Sequence, residues 1–163
     1  MSKVVANSSN GANAATKTLF RRQVLALQDE MVRLIAKGEA DDVMSACTLT
    51  HSFSPISDEY GCCTYARQMV IPKDCLVIGK IHRHAHHNFL MKGRLSVATE
   101  HEVKTMDAPA VFVSEPGIKR AVLAEKDSII VTVHLTKHNS EAELETIEDE
   151  LISPSYKEMG LEI

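Results

Sequence analysis

The chain has 163 residues, 44% of them hydrophobic and 25% charged, with a formal net charge of −4. That length suits one domain with a genuine core plus modest extensions and is too short for two ordinary domains. The absence of a basic excess argues against nucleic-acid binding, and no apolar run approaches the length of a membrane span.

The opening stretch, "MSKVVANSSNGANAAT", lacks the apolar core of a signal peptide, so the expected location is the cytoplasm. Residues 1 to 16 are rich in Ser, Asn, Ala and Gly without apolar period, and read as a flexible tail. From Lys17, the residues Phe20, Val24, Leu27, Met31 and Leu34 recur at spacings of four, three, four and three, which predicts an amphipathic helix ending near Gly38. Packing on its own domain is the simpler use of such a stripe; a subunit contact is the other. Residues 39 to 60 carry Asp, Ser, Pro and Gly punctuation and read as loop with some strand or helix. The helical N-terminal extension is accordingly placed at residues 17–57.

Beyond Gly61, β character is plain in "TYARQMVIP", "CLVIGKIHRH", "NFLM", "RLSVAT", "AVFVS" and "SIIVTVHL", each bounded by turn signals such as "PKD", "KG", "DAP", "EPG" and "EKD". Several short strands over residues 58–137 suggest an antiparallel sandwich or barrel. Residues 138–163 read as a C-terminal helix, over 140 to 152, and a tail: Ser140 and Glu143 form an S-x-x-E capping box, and Leu144, Ile147 and Leu151 mark an apolar stripe. Glu141, Glu145, Glu148, Asp149 and Glu150 have no compensating base in sequence and read as a solvated face or a surface for a basic partner. Cys47, Cys62, Cys63 and Cys75 include an adjacent pair, awkward for a disulfide, and no C-x-x-C spacing; they read as reduced packing residues.

The segment "GKIHRHAHHNFLMKGRLSV" holds four of the eight histidines. Along an extended strand His82, His84 and His86 share a face while Arg83, Ala85 and His87 point away. Imidazole is the commonest transition-metal side-chain ligand, which makes this spacing selective. Three alternating histidines, however, spread over roughly 13 Å, too far for one ion. Either the chain bends near Ala85 or two of the three bind. A polar strip without an ion is the competing reading.

These residues also carry a resemblance. "IHRHAHHNFLMKGRLSV" resembles the first motif of the cupin superfamily, in which an H-x-H pair is followed by Glu and, seven residues on, by the Gly of a strand turn. Gly93 fits that glycine, His86 stands where the family has its Glu, and His82 and His84 fit the pair. "SEPGIKRAV" resembles the second motif, with Gly117 as the turn glycine, but Arg120 fills the expected His position. A guanidinium stays protonated and is no ordinary ligand. His134 shares a face with Ile130 and Thr132 in the last strand; it either completes the site or lies just past the buried part of that strand. Lys119 and Arg120 either meet an anionic ligand at the barrel mouth or stand as exposed turn residues.

The pattern "GKIH.H.H.N", a "KG" turn, "AP..FVS.PG.KR" and a closing "VH.T" before an acidic helix is similar to small cupin-like proteins of tailed bacteriophages. The resemblance implies a mainly β fold, a small double-stranded β-helix with an N-terminal amphipathic helix and a C-terminal acidic helix. It implies a divalent transition metal (Zn, Fe, Ni, Mn or Cu) held by His82, His84, His86 and His134, with Lys119 and Arg120 toward a small-molecule ligand. A homodimer or higher homo-oligomer is its default, located in the host cytoplasm or the virion. Three uses remain open: a metal-dependent enzyme, a non-catalytic small-molecule-binding module, and a virion, assembly or host-takeover component with protein partners. No P-loop, H-E-x-x-H or paired acidic motif supports a nuclease or nucleotide hydrolase, and "TEHE", with Glu100 and Glu102, reads as an exposed turn.

Overall fold

The computed structural model describes residues 13–163. The expected tail at residues 1 to 16 therefore lies mostly outside the described residues. Helix α1 spans Ala14–Ala36, starting before Lys17 because the Asn13 side chain accepts from Thr16 N at 2.9 Å and caps it. It stops before Gly38, whose φ of +71° no helix continues.

The strands are β1 Thr48–Phe53, β2 Cys63–Ile71, β3 Leu76–Ile78, β4 Ile81–His82, β5 His86–Lys92, β6 Arg94–Ala98, β7 Val103–Asp107, β8 Ala110–Ser114, β9 Ala121–Ala124, β10 Ser128–Thr136 and β11 Ile152–Ser153. They form a five-stranded sheet in the order β1-β2-β10-β5-β8 and a four-stranded sheet in the order β3-β9-β6-β7, with β4 paired to β11. All pairings are antiparallel. The chain passes repeatedly from one sheet to the other, which is the winding of a small double-stranded β-helix.

Ile71 and Leu90 of the larger sheet meet Leu95, Val97 and Ala124 of the smaller, with Met69, Val122 and Ile130 packed around them. Leu90 and Leu95 are fully buried, each contributing about 2 kcal/mol of apolar transfer. The turn from β5 to β6 is made by Gly93 at φ +88°; a Cβ there would run into Asp127 and Ser128.

After a 3-10 turn at Glu141–Glu143, helix α2 spans Leu144–Leu151. Ser140 Oγ accepts from Ala142 N, while the Glu143 carboxylate meets His138 Nδ1 at 2.8 Å. Ile147 and Leu151 pack on Tyr65 together with Phe53, Leu144 and Ile152, so α2 plugs one end of the larger sheet's inner face. Its acidic side is not uncompensated as the sequence suggested: Glu148 pairs with Lys80 and Glu150 lies 3.4 Å from His138. β11 follows at once and pairs with β4, matching Ile152 to His82 and Ser153 to Ile81.

The expectation of an exposed "TEHE" turn fails at Glu100, which is 5% exposed. Its two carboxylate oxygens accept from Arg21 Nε at 2.6 Å and Nη2 at 2.7 Å. That pair fixes α1 to the barrel, and the carboxylate holds the Arg21 guanidinium above its ordinary range. All four cysteines are free.

Candidate metal centre

Strand registers sort the inner face of the larger sheet into rows. One row reads Leu49, Met69, Ile130, Leu90, Ala110, and is apolar. The next reads His51, Arg67, Thr132, Asn88, Phe112. The row beyond begins Phe53, Tyr65, His134 and ends with His86 opposite Ser114. Because side chains alternate at every residue, all three rows face the interior. The row nearest α2 thus carries two histidines, one from β10 and one from β5.

His82 is brought to them by a break in the strand. β4 ends at His82 and β5 begins at His86, with a bend over residues 83–85. The bend converts four residues of separation into contact: the His82 and His86 ring centroids lie 4.2 Å apart, and those of His134 lie 5.1 Å from His82 and 4.5 Å from His86. One ligand atom from each of the three lies within 4.8 Å of the others. His84 sits exposed on the bend and is outside this group.

Burial is the main reason all three rings are neutral, each with one ring N–H rather than two. It pushes His82 down to about 2, with His86, His134, Arg120 and Arg67 adding repulsion. His134 falls to about 3 for the same first cause, followed by His86, Arg67 and Arg120. His86 falls to about 4, burial again leading and its bond to the His84 backbone opposing. His86 Nδ1 lies 3.3 Å from the His84 carbonyl oxygen, which places its proton on Nδ1 and leaves Nε2 an acceptor. His82 Nδ1 is buried without a hydrogen-bond partner.

Three neutral imidazoles with converging nitrogens, one of them an orphaned acceptor or donor, fit a transition-metal ion. Among the described residues no carboxylate joins the group.

Arg120 is half-buried, its guanidinium 5.7 Å from the Phe112 ring centroid and its Nη2 3.3 Å from His86 Nε2. Burial lowers it to about 10. Lys119 is buried rather than an exposed turn residue, and its Nζ donates to the Gly79 carbonyl at 2.8 Å. Sequence reasoning passed over His51, Arg67 and Asn88. His51 Nδ1 lies 2.7 Å from the Tyr65 hydroxyl, and Asn88 is fully buried with neither carboxamide atom hydrogen-bonded. The signal was present in the alternation Tyr65, Arg67, Met69, which puts an arginine on the inner face of a strand.

A cavity of about 300 Å³ opens between α2 and strands β1 and β2, and is lined by His51, Tyr65, Arg67, His82, Ile147 and Glu148 among others. It gives solvent a path to His82.

No family model matches the chain. No curated protein matches it. Among solved structures it is similar to KdgF from Halomonas sp., at 17% identity and a TM-score of 0.46, covering 64% of this chain and 93% of that one. It is similar to an RmlC-like cupin from Shewanella frigidimarina at 13% identity and a TM-score of 0.41, covering 58% and 89% respectively. A cupin 2 conserved barrel domain protein from Leptotrichia buccalis gives 11% identity and a TM-score of 0.47, covering 60% of this chain and 45% of that one.

Proposed function

We propose that this chain is a cupin-like protein whose His82, His86 and His134 hold one divalent transition-metal ion facing a small-molecule pocket. The observation that carries the reading is the convergence of three neutral imidazole nitrogens within 4.8 Å. A bound ion supplies Lewis-acid or oxygen-activating chemistry, and a three-ligand protein shell leaves positions for ligand and water.

The chain's own residues supply the rest. The His84 carbonyl fixes the His86 tautomer, the β11 ladder fixes His82, and α2 screens the centre from bulk water while leaving the cavity beside Arg67 open. Arg120 is the contact for a ligand bound beside the ion, whereas Lys119 is committed to Gly79. The wider reading, a phage protein acting in the host cell as a homodimer, draws on the sequence resemblance. The homodimer alone also draws on the apolar outer face of the larger sheet, where Val111, Val113, Met91 and Leu135 are exposed.

The test is elemental analysis of untagged protein purified without chelator. Wild type and His84→Ala carry near-stoichiometric metal, while His82→Ala and His86→Ala lose it and keep the β circular-dichroism spectrum. Full occupancy in both of the latter variants would rule out this ligand set.

A further inference from the structure

The contact between Arg120 and His86 occupies the lone pair that an ion would need. With its proton on Nδ1, His86 has a single in-plane acceptor at Nε2, and Arg120 Nη2 lies 3.3 Å from that atom. Donation from the guanidinium and coordination of an ion at Nε2 exclude each other.

Charge points the same way. Three neutral imidazoles bring no negative charge to a divalent ion, and the permanently charged groups acting on His82 and His134 are Arg67 and Arg120, both cations. Among the described residues neither arginine forms a salt bridge with a carboxylate. Of the two acids on the cavity beside Arg67, Glu148 is paired with Lys80 and Glu145 is exposed. An ion seated here would leave a surplus of positive charge in a half-buried place, which low dielectric makes costly.

Polar groups without partners lie alongside. Ser114 Oγ, opposite His86 in the ladder, is buried and unpaired, and so are both polar atoms of Asn88, two residues farther along β5. Orphaned groups of this kind are satisfied by water or by a ligand.

We infer that the centre takes a small chelating carboxylate, with Arg120 exchanging between His86 Nε2 in the ion-free chain and the ligand's carboxylate in the loaded one. The inference rests on the metal-centre reading above and adds the ligand's chemical class. Once the ion takes Nε2, Arg120 loses its acceptor while still lying against Phe112. A carboxylate matches the guanidinium fork in geometry and charge. The same anion offsets the ion's charge, and a second oxygen next to the carboxylate allows it to chelate.

This arrangement gives Arg120 effects of opposite sign. Replacing it removes a competitor for His86 and strengthens ion binding in the absence of carboxylate, yet it weakens carboxylate binding to the loaded protein. A purely structural arginine would not produce that pair of signs.

The experiment loads the full chain with Co²⁺, whose visible absorption reports its coordination, and titrates it with glycolate or with ethylene glycol, its neutral counterpart. Wild type responds saturably to glycolate and not to ethylene glycol. Arg120→Gln binds Co²⁺ more tightly and glycolate about tenfold more weakly, while Arg120→Lys, which keeps the charge without the fork, falls between. Thermal melts of the metal-free variants establish that each is folded before titration. Co²⁺ uptake with no glycolate response, an equal response to ethylene glycol, or unchanged constants in Arg120→Gln would overturn this inference alone. Failure of both wild type and Arg120→Gln to take up Co²⁺ would overturn the metal-centre reading and this inference together.

Discussion

His82, His86 and His134 lie so close together that a positive charge on any one would sit against the other two. In the unfolded chain each titrates near 6.5, whereas burial holds all three well below that in the fold. Below about pH 6.5 the unfolded state therefore binds protons that the folded state refuses, and stability falls with pH. Above that value both states are neutral and this contribution is flat. His138 acts in the opposite sense: its contact with Glu143 raises it, so its contribution is full below about 6.5 and lost as pH rises through its folded value. For metal-free protein, urea midpoints are expected to fall only slightly as pH rises from about 7 to 8, as the His138 contribution fades, and to drop between about 6.5 and 5, at up to about 1 kcal/mol per pH unit for each buried histidine. His134→Ala should show a shallower fall; an unchanged slope would remove the shared burial as its cause. The strand pattern made His82 and His86 legible as candidates, but alternation also nominated His84. Alternation holds only while a strand stays extended, and the break over residues 83–85 lies outside that rule.

At the scale of elements, α1 is attached by one buried ion pair and a modest apolar contact. Val24 is its one buried apolar residue, and Leu19 and Val32 are more than half exposed. Arg21 reaches Glu100, donates to the Glu162 carbonyl at 2.9 Å and lies 5.4 Å from the Tyr156 ring centroid. Glu100→Ala leaves that guanidinium buried without its anion, at an expected cost of about 3 kcal/mol. Hydrogen exchange should show α1 amides losing protection while those of β2, β5 and β10 keep theirs; uniform loss would mean that α1 is integral to barrel stability. The helix was readable from its spacing, yet its anchor was not, because Arg21 falls among polar faces and Glu100 in a turn of charged residues. Strands rich in Val, Ile and Phe were legible for the converse reason. β7, "VKTMD", and β1, "TLTHSF", are largely exposed strands at the borders of their sheets and carry little apolar alternation.

For the whole molecule, the outer face of the larger sheet is the conspicuous surface. Val111, Phe89 and Val131 align across β8, β5 and β10, and Val113, His87 and Val133 form the adjoining row. Val111 is 62% exposed and Leu135 67%, and monomers seldom leave so contiguous an apolar band uncovered. Light scattering at micromolar concentration is expected to give a dimer, and Val111→Glu with Leu135→Glu a folded monomer with its metal content unchanged. A wild-type monomer, or a dimer indifferent to both charges, would send the contact elsewhere. Among the described residues no helix is long and apolar enough to cross a membrane.

The ladder between β4 and β11 also has a consequence in time. On the ribosome His82 emerges well before Ile152, its ladder partner, and His86 well before His134, its neighbour in the sheet. A nascent chain can collapse around Leu90 and Leu95 while two of the three imidazoles lack their final surroundings. Contacts so distant in sequence form slowly, commonly over milliseconds to seconds. Convergence of the three imidazoles is thus expected late in folding, so that a metal ion held there would lock the finished barrel rather than template an early intermediate.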